Sequence, residues 1–297
     1  MSEVPSPLSP RGVVYAAIGQ AFVAEAAVSA ASLRKHCPSL PITLFTDCPE
    51  AASPVFDQVV RLAEKQPRPH LDKLVAMRDS PFAETLFLDT DTFICGAIDP
   101  IFAVLARFDM AMTLERRYVD VLPEGTGVAD IFGEYNQGVV AYRRSDELDA
   151  TLRSALDIGR SMAAAGKQTS DQIAMRIALY RSNLRIATLP LEYNCRFHGC
   201  GALNGPVVIL HSRFPDRPND PQHLEALARR INSVPIMRIF IAGRMIPLIE
   251  RKLRQRDHFV AGRSVRLFSP RAAMARAAVA GATTGARRRL ARWFGRR

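Results

Sequence analysis

Cysteine is scarce and ill-spaced. The five thiols, Cys37, Cys48, Cys95, Cys195 and Cys200, are odd in number and none falls in a CxxC pair. A chain of 297 residues is long enough to bury a core without staples, so this usage excludes a disulfide scaffold and implies reduced thiols in a cytosolic compartment. Cys195 and Cys200 bracket His198, but no second ligand pair stands at a zinc spacing, and ordinary thiols are the simpler account. Long apolar runs are missing too. No stretch reaches the roughly 18 uninterrupted apolar residues of a membrane span. The most apolar one, Val234 to Ile249, is broken by Arg238 and Arg244. The opening stretch is rich in Pro and Ser and has no apolar h-region, which speaks against a secretory signal and makes residues 1–10 an expected disordered start. There is no internal repeat.

Acids almost vanish from the C-terminal quarter. From residue 221 on, eighteen Arg and Lys face three acids (Glu225, Glu250, Asp257), whereas residues 1–220 carry 22 basic and 26 acidic side chains. The formal charge of +11 therefore belongs to the tail, and the preceding part is mildly acidic. Hydrophobic content of 48% is ordinary and supports a sizeable core in that part. We place a boundary at 220, with a globular domain over 11–220 and a basic, amphipathic helical extension over 221–297. In the extension Ile236, Ile239, Phe240, Ile246, Ile249 and Leu253 alternate with arginines, and the run from Arg287 to Phe294 adds aromatics to charge. Such a pattern suits an anionic membrane surface, where each basic residue contributes about 1 kcal/mol. A solvated tail with one packed helix is the plain alternative, and nucleic acid ranks behind the membrane.

The first 220 residues alternate strand-like and helix-like stretches. Val13 to Ile18 is a near-continuous apolar run, followed by a helical period from Phe22 to His36 that Cys37-Pro38 closes. Further strands are expected at Ile42–Thr46, Gln58–Leu62, Thr85–Leu88, Met110–Leu114, Gly138–Tyr142, Ile186–Leu189 and Val207–Leu210. Helices are expected at Leu71–Arg78, Ser145–Ala163 and Ser170–Tyr180, and an irregular, mobile loop over Tyr118–Glu134. This order predicts an α/β fold with a mostly parallel sheet flanked by helices.

One strand carries chemistry at its end. Leu86-Phe87-Leu88 runs into Asp89-Thr90-Asp91, and open α/β sheets bind ligands outside the carboxyl ends of their strands. Two carboxylates so close resist burial unless a cation neutralises them, and oxygen ligation suits manganese or magnesium. An acidic turn after a strand is the structural alternative. Asn136-Gln137-Gly138 stands before another strand. Thr169-Ser170-Asp171-Gln172 opens a helix and also reads as a simple N-cap. His211 closes a later apolar run and gains weight as a ligand only beside the acid pair.

Together these residues resemble the nucleotide-diphospho-sugar transferases of the GT-A fold, a Rossmann-like type, most closely the retaining group of glycosyltransferase family eight and its bacterial relatives. The resemblance spans Val13 to Pro218. It implies that Asp89, Asp91 and His211 hold Mn2+ (or Mg2+), and that Asp171 and Gln172 lie at the anomeric carbon. It implies donor contacts from Ala17, Lys73, Thr90, Asn136, Gln137, Gly138, Asn194 and Arg217. The partners implied are a nucleotide-diphosphate sugar and a glycan or lipid-linked acceptor, as in polysaccharide or lipopolysaccharide synthesis, at the cytoplasmic face of a membrane. Two departures stand out. Ile18-Gly19 replaces the acid that often reads uracil, and Phe214 replaces the glycine of the closing His-x-x-Gly-x-x-Lys-Pro motif, where Arg217-Pro218 stands for Lys-Pro. Two rival readings use other features of the chain: a haloacid-dehalogenase-type phosphatase with Asp89 as nucleophile and Asp91 as acid/base, and a non-catalytic membrane-surface module.

Overall fold

The computed structural model describes residues 9–62, 66, 69–115, 122–166, 170–213, 220–234, 237–247, 250–252 and 263–265. The chain divides into two units, Met1–Ile246 and Pro247–Arg297. The first is built on a seven-stranded sheet. Its strands are β1 (Ser9–Ala17), β2 (Ile42–Thr46), β3 (Gln58–Arg61), β4 (Phe82–Leu88), β6 (Met110–Leu114), β7 (Tyr135–Arg143) and β8 (Ile186–Thr188), in the order β3-β2-β1-β4-β7-β6-β8. β5 (Thr92–Ile94) lies outside this sheet. β7 runs antiparallel to β4 and β6, and the other neighbouring pairs are parallel.

The apolar run of β1 places it inside the sheet, because strands covered on both faces must be apolar on both. Val13, Tyr15 and Ala17 face one core, shared with Val23, Ala26, Ala30 and Leu33 of α1 (Gln20–His36) and with Ile101 and Phe102 of α3 (Asp99–Val104). Val14 faces the other core, with Leu74 of α2 (Asp72–Arg78), Leu152 of α4 (Asp146–Ala164) and Met175 of α5 (Asp171–Arg181). The result is helices on both faces of one sheet. Serine caps begin two of them: Ser145 Oγ accepts the Leu148 N–H at 3.2 Å and Ser170 Oγ accepts that of Ile173 at 3.1 Å. Gly19 starts α1 with φ 91, a left-handed value that suits glycine, and donates its N–H to Asp47 Oδ1 at 2.7 Å.

The described part of the Tyr118–Glu134 loop is irregular, as expected, and Arg176 donates to its Phe132 O at 2.8 Å and Asp130 O at 3.1 Å. Two expectations need correction. β1 begins at Ser9, inside the stretch 1–10 expected to be disordered. The second concerns the tail. α6 (Pro221–Asn232) is helical, capped by Asp220, but the helix does not continue through the next arginines. β11 (Arg238–Ile241) and β12 (Arg244–Pro247) instead form a three-stranded sheet with β9 (Cys200–Leu203). The burial has period two: Arg238 and Phe240 are inside, Ile241 is outside. Phe240 stacks on Phe197 with ring centroids 6.1 Å apart, and Arg238 donates to Gly205 O at 2.7 Å. Ala242 and Gly243, both at positive φ, make the turn. The boundary therefore falls after Ile246 rather than at 220. In the second unit β13 (Glu250–Lys252) pairs with β14 (Arg263–Val265). Ile236, Ile249, Leu253 and the run from Arg287 to Phe294 lie outside the described residues. Among those described, no helix is long and apolar enough to cross a membrane.

The hairpin can be tested directly. Phe240→Ala should cost about 3 kcal/mol of unfolding free energy in denaturant melts, the usual loss for a buried phenylalanine. A loss below about 0.5 kcal/mol, typical of surface positions, would place the hairpin outside the core.

Candidate functional site

β4 delivers Asp89 to the carboxyl end of the sheet, where its N–H donates to Gly138 O at 2.8 Å. The chain turns back at once into β5, which pairs antiparallel with β10 (Ile209–His211) so that Thr92 stands opposite His211. Ser212 N–H closes the arrangement on Asp91 O at 3.0 Å. α1 braces the same turn from below. Its Ser29 hydroxyl lies 2.7 Å from Thr92 Oγ1 and 2.9 Å from the Tyr15 hydroxyl, and its Ser32 Oγ accepts the Ile94 N–H at 2.8 Å. The acid pair and the histidine, more than a hundred residues apart, are thus held by backbone pairing and buried hydroxyls.

Asp89, Asp91 and His211 each offer a ligand atom, all within 4.8 Å of one another. Among the described residues this is the one His/Cys/Asp/Glu group able to hold a metal, and Cys195, His198 and Cys200 form none. His211 Nε2 lies 3.3 Å from Asp91 Oδ1 and 3.7 Å from Asp89 Oδ2. Its tautomer follows from the neighbouring amides. The Gly138 N–H can only donate, so Asn136 presents Oδ1 to it at 3.0 Å. Asn194 Nδ2 donates to that same oxygen at 2.9 Å, which turns Asn194 Oδ1 toward His211 Nδ1 at 2.8 Å. Nδ1 therefore carries a proton, which leaves Nε2, facing the two carboxylates, as the nitrogen that would ligate a cation. Two carboxylates and that nitrogen, converging on one point, suit a cation. Burial, helped by the Asp91 charge, raises the Asp89 carboxyl above its ordinary range against the pull of Lys73 and His211. Burial also pushes Asp91 up, but His211, Arg213 and Lys73 outweigh it and hold that carboxyl well below its ordinary range.

Cations surround the acids. Lys73 Nζ lies 2.7 Å from Asp89 Oδ1 and 2.8 Å from Oδ2, and 3.6 Å from Asp171 Oδ2. Burial opposes the charge on Lys73, yet these carboxylates raise its pKa. Asp171 also follows the Ser170 cap, so the capping reading of this helix start holds, and its carboxylate lines neither hollow but reaches the cluster through Lys73. Gln172 is oriented by Glu134, whose Oε1 accepts its amide at 2.9 Å. Two hollows meet at the cluster. The smaller, 330 Å³, is lined by Ala16, Ile18, Phe22, Lys73, Thr90 and Gln172. The larger, 480 Å³, is lined by Leu114, Glu115, Asn194, Cys200, Phe240 and Ile241. Asp91, Asn136, Arg196, His211 and Arg213 border both.

Some expected contacts fall elsewhere. The Ala17 side chain is packed in the core against α1, and its neighbours Ala16 and Ile18 line the hollow instead. Gln137 points away from the site, its Nε2 to Tyr135 O at 3.1 Å and toward the Met112 sulfur, while Asn136 and Gly138 face it. Both shifts follow from the two-residue period of a strand. Asn194 supports His211 and lines the larger hollow. Arg217 lies outside the described residues. Three side chains at the site are specified by no motif position: Glu25, Arg213 and Arg196. Buried Glu25 accepts the Thr90 hydroxyl and both Nε and Nη2 of Arg213, and Arg196 pairs with Glu115. A glutamate on the inner face of α1 is the only sequence sign of the first.

No protein-family model and no curated protein sequence matches the chain. Solved structures do. The galactosyltransferase LgtC, determined in complex with donor and acceptor sugar analogues, aligns over 74% of this chain and 95% of its own at 14% identity, with a TM-score of 0.47. The glycosyltransferase GlyE of Streptococcus pneumoniae TIGR4 aligns over 70% of this chain at 17% identity and a TM-score of 0.51; the match covers 55% of GlyE. The likeness to GlyE is one of fold: a mostly parallel seven-stranded sheet flanked by helices, the GT-A type.

Proposed function

We propose that the chain is a metal-dependent glycosyltransferase that moves a sugar from a nucleotide-diphosphate donor to a glycan or lipid-linked acceptor. The observation that carries this reading is the convergence of Asp89, Asp91 and His211, with Nε2 turned inward, where two hollows meet at the strand ends. Two substrates must approach one centre in such a reaction, and we assign the donor to the 330 Å³ hollow and the acceptor to the 480 Å³ one. The residues fit a divalent cation, and two carboxylates with one imidazole suit manganese better than magnesium, which keeps to oxygen. A cation bound there supplies electrostatic stabilisation to the departing diphosphate.

In the transfer the bond from the anomeric carbon to the diphosphate breaks and its electron pair leaves with the phosphate oxygen. The acceptor hydroxyl bonds to that carbon, and its proton passes to the departing diphosphate oxygen. Lys73, fixed by Asp89 and Asp171, keeps its positive charge beside the donor. Gln172, held by Glu134, orients the sugar. Retention of configuration is the outcome the family resemblance implies, and proton NMR of the first-formed product reads it. The phosphatase alternative fits poorly, because Lys73 engages both oxygens of the would-be nucleophile Asp89, which follows β4 and not the first strand. The basic composition after residue 220 supports an acceptor at an anionic membrane surface on the cytoplasmic side.

Calorimetry with a panel of nucleotide sugars tests this reading: one donor should bind with Mn2+ present and fail to bind with chelator. Binding of none, with metal present, would sink it. Because Asn194 fixes the ring of His211, Asn194→Ala should weaken Mn2+ about 10- to 100-fold in an EPR titration, the usual effect of losing a ligand's supporting hydrogen bond. Unchanged affinity would mean that Asn194 does not set His211.

A further inference from the structure

Arg213 stands two residues beyond His211, on the border of both hollows, at an unspecified position of the closing motif. Its guanidinium is fixed from two sides. Nε and Nη2 donate to the two oxygens of buried Glu25 at 2.9 and 2.8 Å, and the plane lies over the Phe22 ring with Cζ 5.1 Å from its centroid. Glu25 is in turn engaged by the Thr90 hydroxyl, so the same carboxylate anchors both the turn between the acids and the arginine. Nη2 lies 4.0 Å from Asp91 Oδ2, and the side chain is still 49% exposed. Nη1 donates to no protein atom among the described residues.

We propose that Arg213 is the diphosphate clamp of this site, its open N–H edge directed at the donor's phosphate oxygens and its orientation set by Glu25 and Phe22. This rests on the glycosyltransferase reading and adds to it the residue that grips the leaving group. Among the described residues, the other lysine and arginine side chains at the hollows are paired, Lys73 with two carboxylates and Arg196 with Glu115. An arginine with one edge used by a carboxylate keeps N–H groups for an anion on the other, and holding it in a single orientation removes the entropy that binding would otherwise cost. The same position serves catalysis, since negative charge grows on the diphosphate as the sugar departs.

The test uses the full-length protein, UDP, GDP, ADP and CDP as probes with Mn2+ in calorimetry, and Mn2+ alone in EPR. Arg213→Ala should weaken the best-bound nucleoside diphosphate about tenfold or more, the size of one lost charge-assisted contact. The matching monophosphate should lose less, and Arg213→Lys should recover only part. Affinity for Mn2+ alone should hold or rise, because Asp91 loses a neighbouring cation. Unchanged diphosphate affinity in Arg213→Ala would overturn the clamp while leaving the transferase reading intact. Parallel losses of Mn2+ and diphosphate would also overturn it, since they would mark a structural role. If the wild type binds none of the four diphosphates, the transferase reading fails and the clamp with it.

Discussion

Replacing Asp91 by Asn should lower sugar transfer by about a thousandfold or more, the equivalent of some 4 kcal/mol of transition-state stabilisation. Asn keeps the shape of the side chain but removes one of the two negative charges facing His211 Nε2, which lies 3.3 Å from Asp91 Oδ1. A site with one carboxylate and one imidazole holds Mn2+ far less tightly, so EPR titration should show the metal loss alongside the activity loss. The protein should remain folded, though slightly less stable at neutral pH. The Asp91 carboxyl is held below its ordinary range in the folded state, so its charge stabilises the fold above about pH 4, and that contribution fades as pH falls through the folded value. The stability gap between wild type and variant should therefore close in acid. A variant retaining a tenth of wild-type transfer would mean that the acid pair does not hold an essential cation.

Gly138→Ala should be nearly as damaging, and its sign separates two physical effects. Gly138 is a strand residue and is not among the positive-φ glycines, so on conformational grounds alanine should stabilise by about 0.4–1 kcal/mol through the unfolded chain. Packing predicts the opposite. A Cβ placed on Gly138 would sit 2.1 Å from His211 Cε1 and 2.8 Å from Nδ1, inside the ring. The ring cannot simply retreat, because Asn194 holds Nδ1, and β7 cannot shift freely, because Gly138 O accepts the Asp89 N–H. Overpacking of this kind costs about 1–3 kcal/mol and outweighs the entropic gain. The displaced histidine should reduce Mn2+ affinity and transfer by about a hundredfold, the upper end of the loss seen when a ligand loses its support. A more stable and fully active Gly138→Ala protein would mean that His211 does not pack there.

The strands and helices that frame the site were legible because each carries a local signal. The apolar run Leu86-Phe87-Leu88 ending in Asp89 marked both a buried strand and its carboxyl end, and Ser145 and Ser170 marked helix starts. The candidate metal-ligating group was legible from the acid pair, with His211 joined to it by family resemblance. What failed was phase and long-range partnership. Ala17 and Gln137 were each one residue out, because the face of a strand depends on register rather than on composition. The β9–β11–β12 sheet escaped because Arg238 and Arg244 suggested a basic amphipathic helix, whereas Arg238 is buried and donates to a backbone carbonyl. Glu25 and Arg213 lie 188 positions apart, and nothing local predicts that they meet.

The central claim is that Asp89, Asp91 and His211 serve the cleavage of a nucleotide-diphosphate sugar. Mass-spectrometric detection of nucleoside diphosphate, released from a panel of nucleotide sugars by the wild-type protein with Mn2+, tests it most directly. One donor should be turned over, with no release under chelator and none by the Asp91→Asn variant. Release from no donor, or release of inorganic phosphate from phosphate monoesters instead, would contradict it.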